Sequence, residues 1–239
     1  MKLSTFATFI FILSTSQAGA SIITSNSSEF FLNLASQPNA NQSLTNEWQI
    51  GMYNGGDFEL FDYSGTTVLG RPAIIGWVNQ GFHAAFLNQS DQDEVFPGNI
   101  FAAGQLTLHP GQSGAEIVLR YLVQRDGIFG LLGNFFALDT IECASCNSDG
   151  VNVSVLVNGS QLNDDSDIIG FGGINSHSVS GSNLQLQKGD FIDFVVKPKS
   201  NFYDDATRVS VSVSREVSEP VTVALMLIGI AFVVMRRSL

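Results

Sequence analysis

Two cysteines are the residues of this 239-residue sequence whose spacing is closest to a chemical motif. Cys143 and Cys146 are two residues apart, as in redox motifs, but a reactive thiol there needs a helix N-terminus to lower its pKa. Residues 147–150 instead predict a turn that leads into a valine-rich strand. In an exported chain we expect a local disulfide between the two cysteines, with free thiols or a pair of metal ligands as the alternatives.

Carboxylates grouped in predicted loops are a second candidate for chemistry. Calcium takes six to eight oxygen ligands, which loop carboxylates and backbone carbonyls can supply. None of the groups has the spacing of an EF-hand loop, so calcium is a hypothesis here, and no other cofactor is expected. The candidate ligands are Asp164, Asp165, Asp167, Asp204 and Asp205.

Catalytic motifs are weak in this sequence. Gly111–Gly114 is not a nucleophile elbow, and Gly170–Gly173 lacks the lysine and the helix of a phosphate-binding loop. A glycosidase needs two carboxylates across a cleft, and the sequence singles out no such pair. We therefore expect a non-catalytic protein, and a polysaccharide hydrolase with an unrecognised site is the enzymatic alternative.

Aromatic side chains make glycan binding a plausible chemistry for the chain. Sugar rings present apolar C–H faces that stack on aromatic rings, while amides and carboxylates form hydrogen bonds with the sugar hydroxyls. The candidates are Trp48, Tyr53, Tyr63 and Trp77. The competing interpretation of the two tryptophans is core packing, because tryptophan in a small sandwich is usually largely buried.

The elements that must position these residues are strands. The valines of residues 151–157 and of residues 209–213 alternate with mostly polar residues, and residues 117–123 repeat the pattern. A period of two is typical of half-buried strands, and Asn158-Gly159 is the sharpest hairpin signal. No amphipathic helix of four turns occurs outside the two ends, so the pattern predicts an all-β, antiparallel sandwich. The polar lead-in, residues 21–46, is expected to be partly ordered or an edge strand.

The N-terminus has the features of a secretory signal peptide. Lys2 provides a positive charge, Phe6–Leu13 an apolar stretch, and Ala18 and Ala20 a small-residue cleavage site. The mature chain is therefore expected to begin at Ser21.

The C-terminus combines a short Glu-Pro element, an apolar run and two arginines. Fifteen residues from Val221 to Met235 form a helix of about 22 Å, shorter than a hydrocarbon core of about 30 Å. The run therefore suits a temporary anchor, with Arg236 and Arg237 in the cytoplasm. An ordinary single-pass anchor is the alternative.

This tail, Ser218-Glu219-Pro220 followed by the apolar run and Arg236-Arg237, resembles the PEP-CTERM sorting signal of Gram-negative bacteria that build an extracellular polysaccharide matrix. The resemblance implies processing near Pro220 by an exosortase, a membrane-embedded enzyme. Ser218 stands where the family usually has its first proline. The resemblance also implies transient membrane attachment and a final location at the cell surface or in the extracellular matrix.

The net charge of the mature chain limits the classes of partner that it is expected to bind. Removing Lys2, Arg236 and Arg237 from the 11 basic residues and Glu219 from the 22 acidic ones leaves 8 and 21, a formal charge of −13 on residues 21–218. Such a surface repels phosphate backbones, so nucleic acid is not an expected partner.

The order of motifs between Asn46 and Ser214 resembles the β-sandwich domain common in PEP-CTERM proteins. It begins with Trp48 and Trp77, continues through Leu108-His109-Pro110-Gly111, and ends at Asp204-Asp205. The resemblance implies a jelly-roll sandwich similar to carbohydrate-binding modules. The expected organisation is a signal peptide at 1–20, a sandwich at 21–216 with its core at about 46–214, and the sorting signal and transmembrane helix at 217–239. The expected function is polysaccharide binding at the cell surface, with a structural or adhesive protein-binding role as the alternative.

Overall fold

A computed structural model describes residues 21–36, 41–66, 68–78, 84–96, 99–111, 114–138, 149–162, 166–168 and 176–217. Residues Ile23–Arg215 form one compact unit. The predicted signal cleavage site at Ala18 and Ala20 lies outside the described residues, and so does the predicted sorting signal, Ser218, Glu219, Pro220, Arg236 and Arg237. The predicted disulfide, Cys143 and Cys146, lies outside them as well.

Strands dominate the described part of the chain. They are β1 (Ser21–Asn26), β2 (Trp48–Asn54), β3 (Asp57–Leu60), β4 (Asp62–Thr66), β5 (Ile74–Val78), β6 (Ala84–Asn88), β7 (Glu94–Phe96), β8 (Asn99–Phe101), β9 (Leu106–His109), β10 (Glu116–Leu122), β11 (Gly127–Ala137), β12 (Val151–Val157), β13 (Ser160–Gln161), β14 (Ser166–Ile168), β15 (Ser176–Leu186), β16 (Phe191–Pro198) and β17 (Thr207–Val217). One α-helix, α1 (Ser27–Ala35), and a 3-10 turn, Val68–Gly70, complete the described elements.

Two antiparallel sheets face each other across a single main core. Sheet A has the order β15, β11, β17, β9, β6, β5, β4, and β1 also pairs with β17. Sheet B has the order β13, β12, β16, β10, β2, β3, and β14 also pairs with β12. The rings of Tyr121 in sheet B and Phe129 in sheet A meet edge to face with centroids 6.3 Å apart. The predicted all-β antiparallel sandwich is confirmed.

The alternation in the sequence places residues in the core as predicted. Val151, Val153 and Val155 of β12 are at most 2% exposed, and the valines at positions 209, 211 and 213 of β17 are 1% exposed. Asn158 and Gly159 have φ values of 50° and 76° and join β12 to β13. Positive φ at both central residues is what a tight hairpin turn of the I′ type needs, so this turn prediction is also confirmed.

The polar lead-in contributes a helix to the core as well as a strand. Helix α1 begins after Asn26, whose side-chain oxygen accepts hydrogen bonds from the backbone N–H of Ser28 and of Glu29 at 3.0 and 3.3 Å. Phe31 on this helix is fully buried, and its ring meets that of Trp77 at 5.1 Å. The edge-strand expectation for residues 21–46 is met by β1, while α1 was not predicted.

A hairpin covers one half of the outer face of sheet A. Ile74 of β5 and Phe86 of β6 point away from the main core and form a second buried cluster with Phe101 of the β7–β8 hairpin. Asn88 fixes this hairpin, because its side-chain amide donates to the backbone oxygens of Gln92 and Phe101, each at 2.8 Å. The outer face of the other half of sheet A, formed by β15, β11 and β17, carries small polar residues instead.

Candidate functional site

Three distant residues meet on the outer face of sheet B, the face turned away from the core. Strand β10 lies between β16 and β2, and the register places Arg120 directly opposite Asp193 and places Glu116 opposite Tyr53. Residues that alternate with the buried Ile117 and Leu119 must point outward. Glu116 and Arg120 therefore point outward, and Asp193 and Tyr53 share their face.

Arg120, Asp193 and Tyr53 form a closed polar cluster, here called the Arg120 cluster. Arg120 donates from Nε to Asp193 Oδ1 at 2.7 Å and from Nη2 to Asp193 Oδ2 at 2.9 Å. The Tyr53 hydroxyl donates to Asp193 Oδ2 and accepts from Arg120 Nη2, the latter at 3.2 Å. The Asp193 side chain is 0% exposed and that of Arg120 is 13% exposed. Such forked, charge-assisted pairing satisfies the buried carboxylate and fixes the tyrosine ring.

Two phenylalanines cover the guanidinium of Arg120. Its central carbon lies 3.9 Å from the ring centroid of Phe58 and 4.1 Å from that of Phe191. A planar, weakly hydrated guanidinium stacks well on aromatic faces. The charge is thus held between two rings, and its exposure to water is small.

The cluster keeps the Tyr53 hydroxyl protonated further into the alkaline range, because it raises the pKa of this group. Burial, together with the hydrogen bond to Asp193 and its negative charge, raises the pKa of Tyr53 to about 12. Burial opposes the charge on Arg120, but the hydrogen bond to Asp193 and its charge outweigh it and raise the pKa of the guanidinium. Tyr53 therefore remains a hydroxyl that is fixed by its partners.

An open groove of about 570 Å³ borders the Arg120 cluster on this face. One wall is the β2–β3 turn and the other is the β12–β13 turn. The lining residues are Tyr53, Asn54, Gly55, Gly56, Gly114, Ala115, Glu116, Leu156 and Gly159. Its volume is within the usual range for small-ligand sites. The lining combines one aromatic ring with one amide, one carboxylate and a floor of small or apolar residues.

Glu116 provides the charge of the groove lining. Its Oε1 lies 3.1 Å from Nζ of Lys197, with the two side chains 31% and 51% exposed. Exposed pairs of this kind contribute little to stability and exchange easily with other partners. Glu116 can therefore turn to a ligand hydroxyl without a large loss of free energy.

The four predicted glycan-binding aromatics fall in different places. Trp48 and Trp77 are both 0% exposed and belong to the main core. Since a stacking platform needs an exposed indole face, this prediction is wrong for both tryptophans, and the core-packing interpretation is correct. Tyr63 is half-buried and packs on Trp77 at 5.8 Å. Tyr53 alone of the four lines the groove.

The predicted calcium ligands do not converge in the described part of the chain. Asp164 and Asp165 lie outside the described residues, and Asp167 lies in β14. Asp204 and Asp205 line a small cavity beside Gly150, and Asp205 is only 2% exposed. Among the described residues, no group of three or more His, Cys, Asp or Glu side chains could hold a metal ion.

Sequence reasoning missed Arg120, Asn54 and Asp193 as residues of this site. One signal was available for Asp193. A carboxylate between Ile192 and Phe194, within a run of apolar residues, requires a partner when the strand is buried. The partner itself could not be read, because 73 residues separate Asp193 from Arg120.

No helix within the described ranges is long and apolar enough to cross a membrane. No protein-family model matches the sequence, and no curated protein matches it either.

Solved structures with a similar fold include two carbohydrate-binding modules. A family 35 module from Clostridium thermocellum is 12% identical, with a TM-score of 0.30, over 51% of this chain and 85% of that one. A family 35 module from Paenibacillus barcinonensis is 11% identical, with a TM-score of 0.30, over 56% and 98%. Rabbit GITRL is 12% identical, with a TM-score of 0.27, over 43% and 73%. Likenesses this distant carry no information about function.

Proposed function

We propose that this chain is an exported, non-catalytic protein that binds polysaccharide in the groove beside Tyr53. The observation that carries the proposal is the fixed tyrosine ring at the edge of an open, mixed polar and apolar groove. A ring held in place before the ligand arrives loses little conformational entropy on binding. The same principle favours a rigid site over a flexible loop.

The groove chemistry suits an uncharged sugar. The Tyr53 ring offers an apolar face, and Asn54 and Glu116 offer hydrogen-bonding groups for hydroxyls. A polymer of acidic sugars would meet a mature chain of formal charge −13, counted over residues 21–218. Neutral polysaccharides are therefore the ligands proposed.

Binding without turnover is the proposed activity. Glycoside hydrolases use two carboxylates that flank the scissile bond. The described residues that line the groove contribute one carboxylate, Glu116. Incubation with a panel of neutral polysaccharides should release no reducing ends, and measurable release would overturn this part of the proposal.

Export and sorting complete the proposed function. The signal-peptide pattern ending at Ala20 and the tail from Ser218 to Arg237 support secretion and exosortase-type processing in a Gram-negative bacterium, with delivery to the cell surface or matrix. Intact mass of the protein recovered from membranes and from medium tests this. Cleavage after Ala20 and near Pro220 is expected, and an unprocessed chain retained in the cytoplasm would contradict it.

Affinity electrophoresis of the full chain through gels that contain neutral polysaccharides tests the groove. Tyr53→Ala should clearly weaken retardation by a polymer that slows the parent protein, because the stacking face is lost. Tyr53→Phe should keep most of it. Tyr203→Ala is the matched control, since Tyr203 is 44% exposed and lies outside the groove lining. Equal retardation of the parent and the Tyr53→Ala variant would rule out the groove.

A further inference from the structure

The outer face of sheet A carries a regular grid of side chains on three adjacent strands, here called the hydroxyl face. Strand β11 lies between β15 and β17, and the register of the two pairings aligns three rows of side chains across them. The rows are Ser180, Leu132, Ser212; Ser178, Asn134, Ser210; and Ser176, Phe136, Arg208. Five of the nine residues are serines.

This face is open to solvent. Leu132, on the middle strand β11, is 46% exposed. Four of the five serines are exposed as well, namely Ser176, Ser178, Ser180 and Ser210. The β7–β8 hairpin covers the other half of the same sheet, over Ile74 and Phe86. Leu132 is thus a large apolar residue that no other described part of the chain covers.

Charge is nearly missing from the grid. Arg208 is the charged residue among the nine, and its guanidinium carbon lies over the Phe136 ring at 4.3 Å. The chain as a whole carries 22 acidic residues, and none of the grid positions is acidic. A surface selected only for solubility would carry charges of both signs.

The composition discriminates between classes of partner. Protein interfaces are depleted in serine and enriched in aromatic residues, and nucleic acid requires several cationic contacts. A serine hydroxyl donates and accepts at once, as a sugar hydroxyl does. An exposed leucine flanked by hydroxyls, on a face whose one charged residue is Arg208, therefore matches an extended neutral polysaccharide better than a protein or a nucleic acid.

We propose that the hydroxyl face is a second polysaccharide-binding surface, which holds a flat, neutral glycan chain along β11. The sugar C–H faces lie on the exposed Leu132 and beside Phe136, whose ring lies against Arg208, and the serines of β15 and β17 bond the hydroxyls on both sides. The grid measures about 10 Å across the strands and about 13 Å along them, enough for a short run of sugar rings. This inference rests on the proposed polysaccharide binding but uses a surface on the opposite sheet from the groove.

Depletion of the full chain from solution by microcrystalline cellulose and by chitin tests the surface. Leu132→Lys replaces the exposed apolar contact of this face with a charge and should weaken binding to an ordered neutral polymer at least tenfold. Ser210→Lys, at an exposed position, should weaken it similarly. Val95→Lys is the matched control, because Val95 is a strand residue that is 60% exposed elsewhere on the molecule. Unchanged thermal melting identifies variants that remain folded.

The groove variant separates this inference from the proposed function. Loss of binding in Leu132→Lys with binding retained in Tyr53→Ala supports the hydroxyl face and not the groove. Loss in Tyr53→Ala alone overturns the hydroxyl face and leaves the groove proposal standing. Tenfold losses in both support two surfaces that act together. Failure of the parent protein to bind either polymer overturns the hydroxyl face, while retardation in gels of soluble polysaccharide still tests the groove separately.

Discussion

The outer faces of the two sheets differ in how they treat polar side chains. Sheet B buries a charge, because Asp193 is 0% exposed under Arg120, with Tyr53 and two phenylalanine rings beside it. Sheet A leaves small hydroxyls and one leucine open to water between Ser180 and Ser212. The first arrangement depends on every partner being present. The second tolerates loss of any one member, so the two faces should respond very differently to substitution.

The largest difference is expected for loss of a charge partner. Asp193→Ala leaves the guanidinium of Arg120 largely buried without its carboxylate, and should lower the free energy of unfolding by about 3–5 kcal/mol. Ser210→Ala on sheet A should change it by about 0.5 kcal/mol or less. Urea unfolding followed by circular dichroism measures both. Similar losses for the two variants would show that the buried pair has no special place in this fold.

Two glycines give a matched test of how tightly each face is packed. A Cβ added at Gly51 in sheet B would lie 2.1 Å from the backbone oxygen of Glu59 and 2.8 Å from the Phe58 ring. A Cβ at Gly130 in sheet A would lie 3.0 Å from the Ser214 hydroxyl, which can rotate away. Gly51→Ala should therefore cost about 1–3 kcal/mol, while Gly130→Ala should be nearly neutral. Thermal melting of both variants measures the two losses of stability. A larger loss for Gly130→Ala than for Gly51→Ala would contradict this prediction.

Alkaline pH should weaken the sheet B face in particular. The pKa of Tyr53 is raised from 10.0 to about 12 in the folded protein. Between these values the unfolded chain loses the Tyr53 proton and the folded chain keeps it, so the free energy of unfolding falls as pH rises. Tyr53→Phe should remove this part of the fall, and part should remain because burial also raises the pKa of Tyr121. Denaturant midpoints at pH 9 to 12 measure it, and identical curves for parent and variant would contradict the assignment.

The smallest effect is expected for the exposed pair beside the groove. Lys197→Ala removes a contact of 3.1 Å between side chains that are 51% and 31% exposed, and should cost less than about 1 kcal/mol. Added salt should reduce even this difference. A loss comparable to that of Asp193→Ala would mean that the difference in solvent exposure between the two ion pairs of sheet B does not determine how much each pair stabilises the fold.

Local sequence patterns predict three of the longer strands, β10, β12 and β17, and little of the site. The alternation in β12 and β17 and the Asn158-Gly159 turn depend on neighbours in sequence, so they are readable. Helix α1 was missed because residues 21–46 are rich in Asn and Ser. Its signal was nevertheless present in Asn26, followed by Glu29 three residues later, which is the spacing of a helix start.

The site depends on register, which local patterns do not contain. Tyr53, Arg120 and Asp193 come from three strands, and a shift of one residue in any pairing would turn a side chain to the other face. The two tryptophans show that residue type alone does not distinguish a binding site from the core. Their type suggests either a binding platform or the core, and the position of Trp77 beneath Phe31 of α1 decides for the core only once the fold is known.

The central place of β17 in sheet A has a consequence for how the protein matures. This strand, the last one described, lies between β11 and β9 and contributes three valines to the main core. Sheet A cannot close until residues 207–217 have been synthesised, because no other strand in the described part of the chain joins β11 to β9. Chains cut short before Thr207 should therefore stay open to proteases, so synthesis must pass this strand before the sandwich can form.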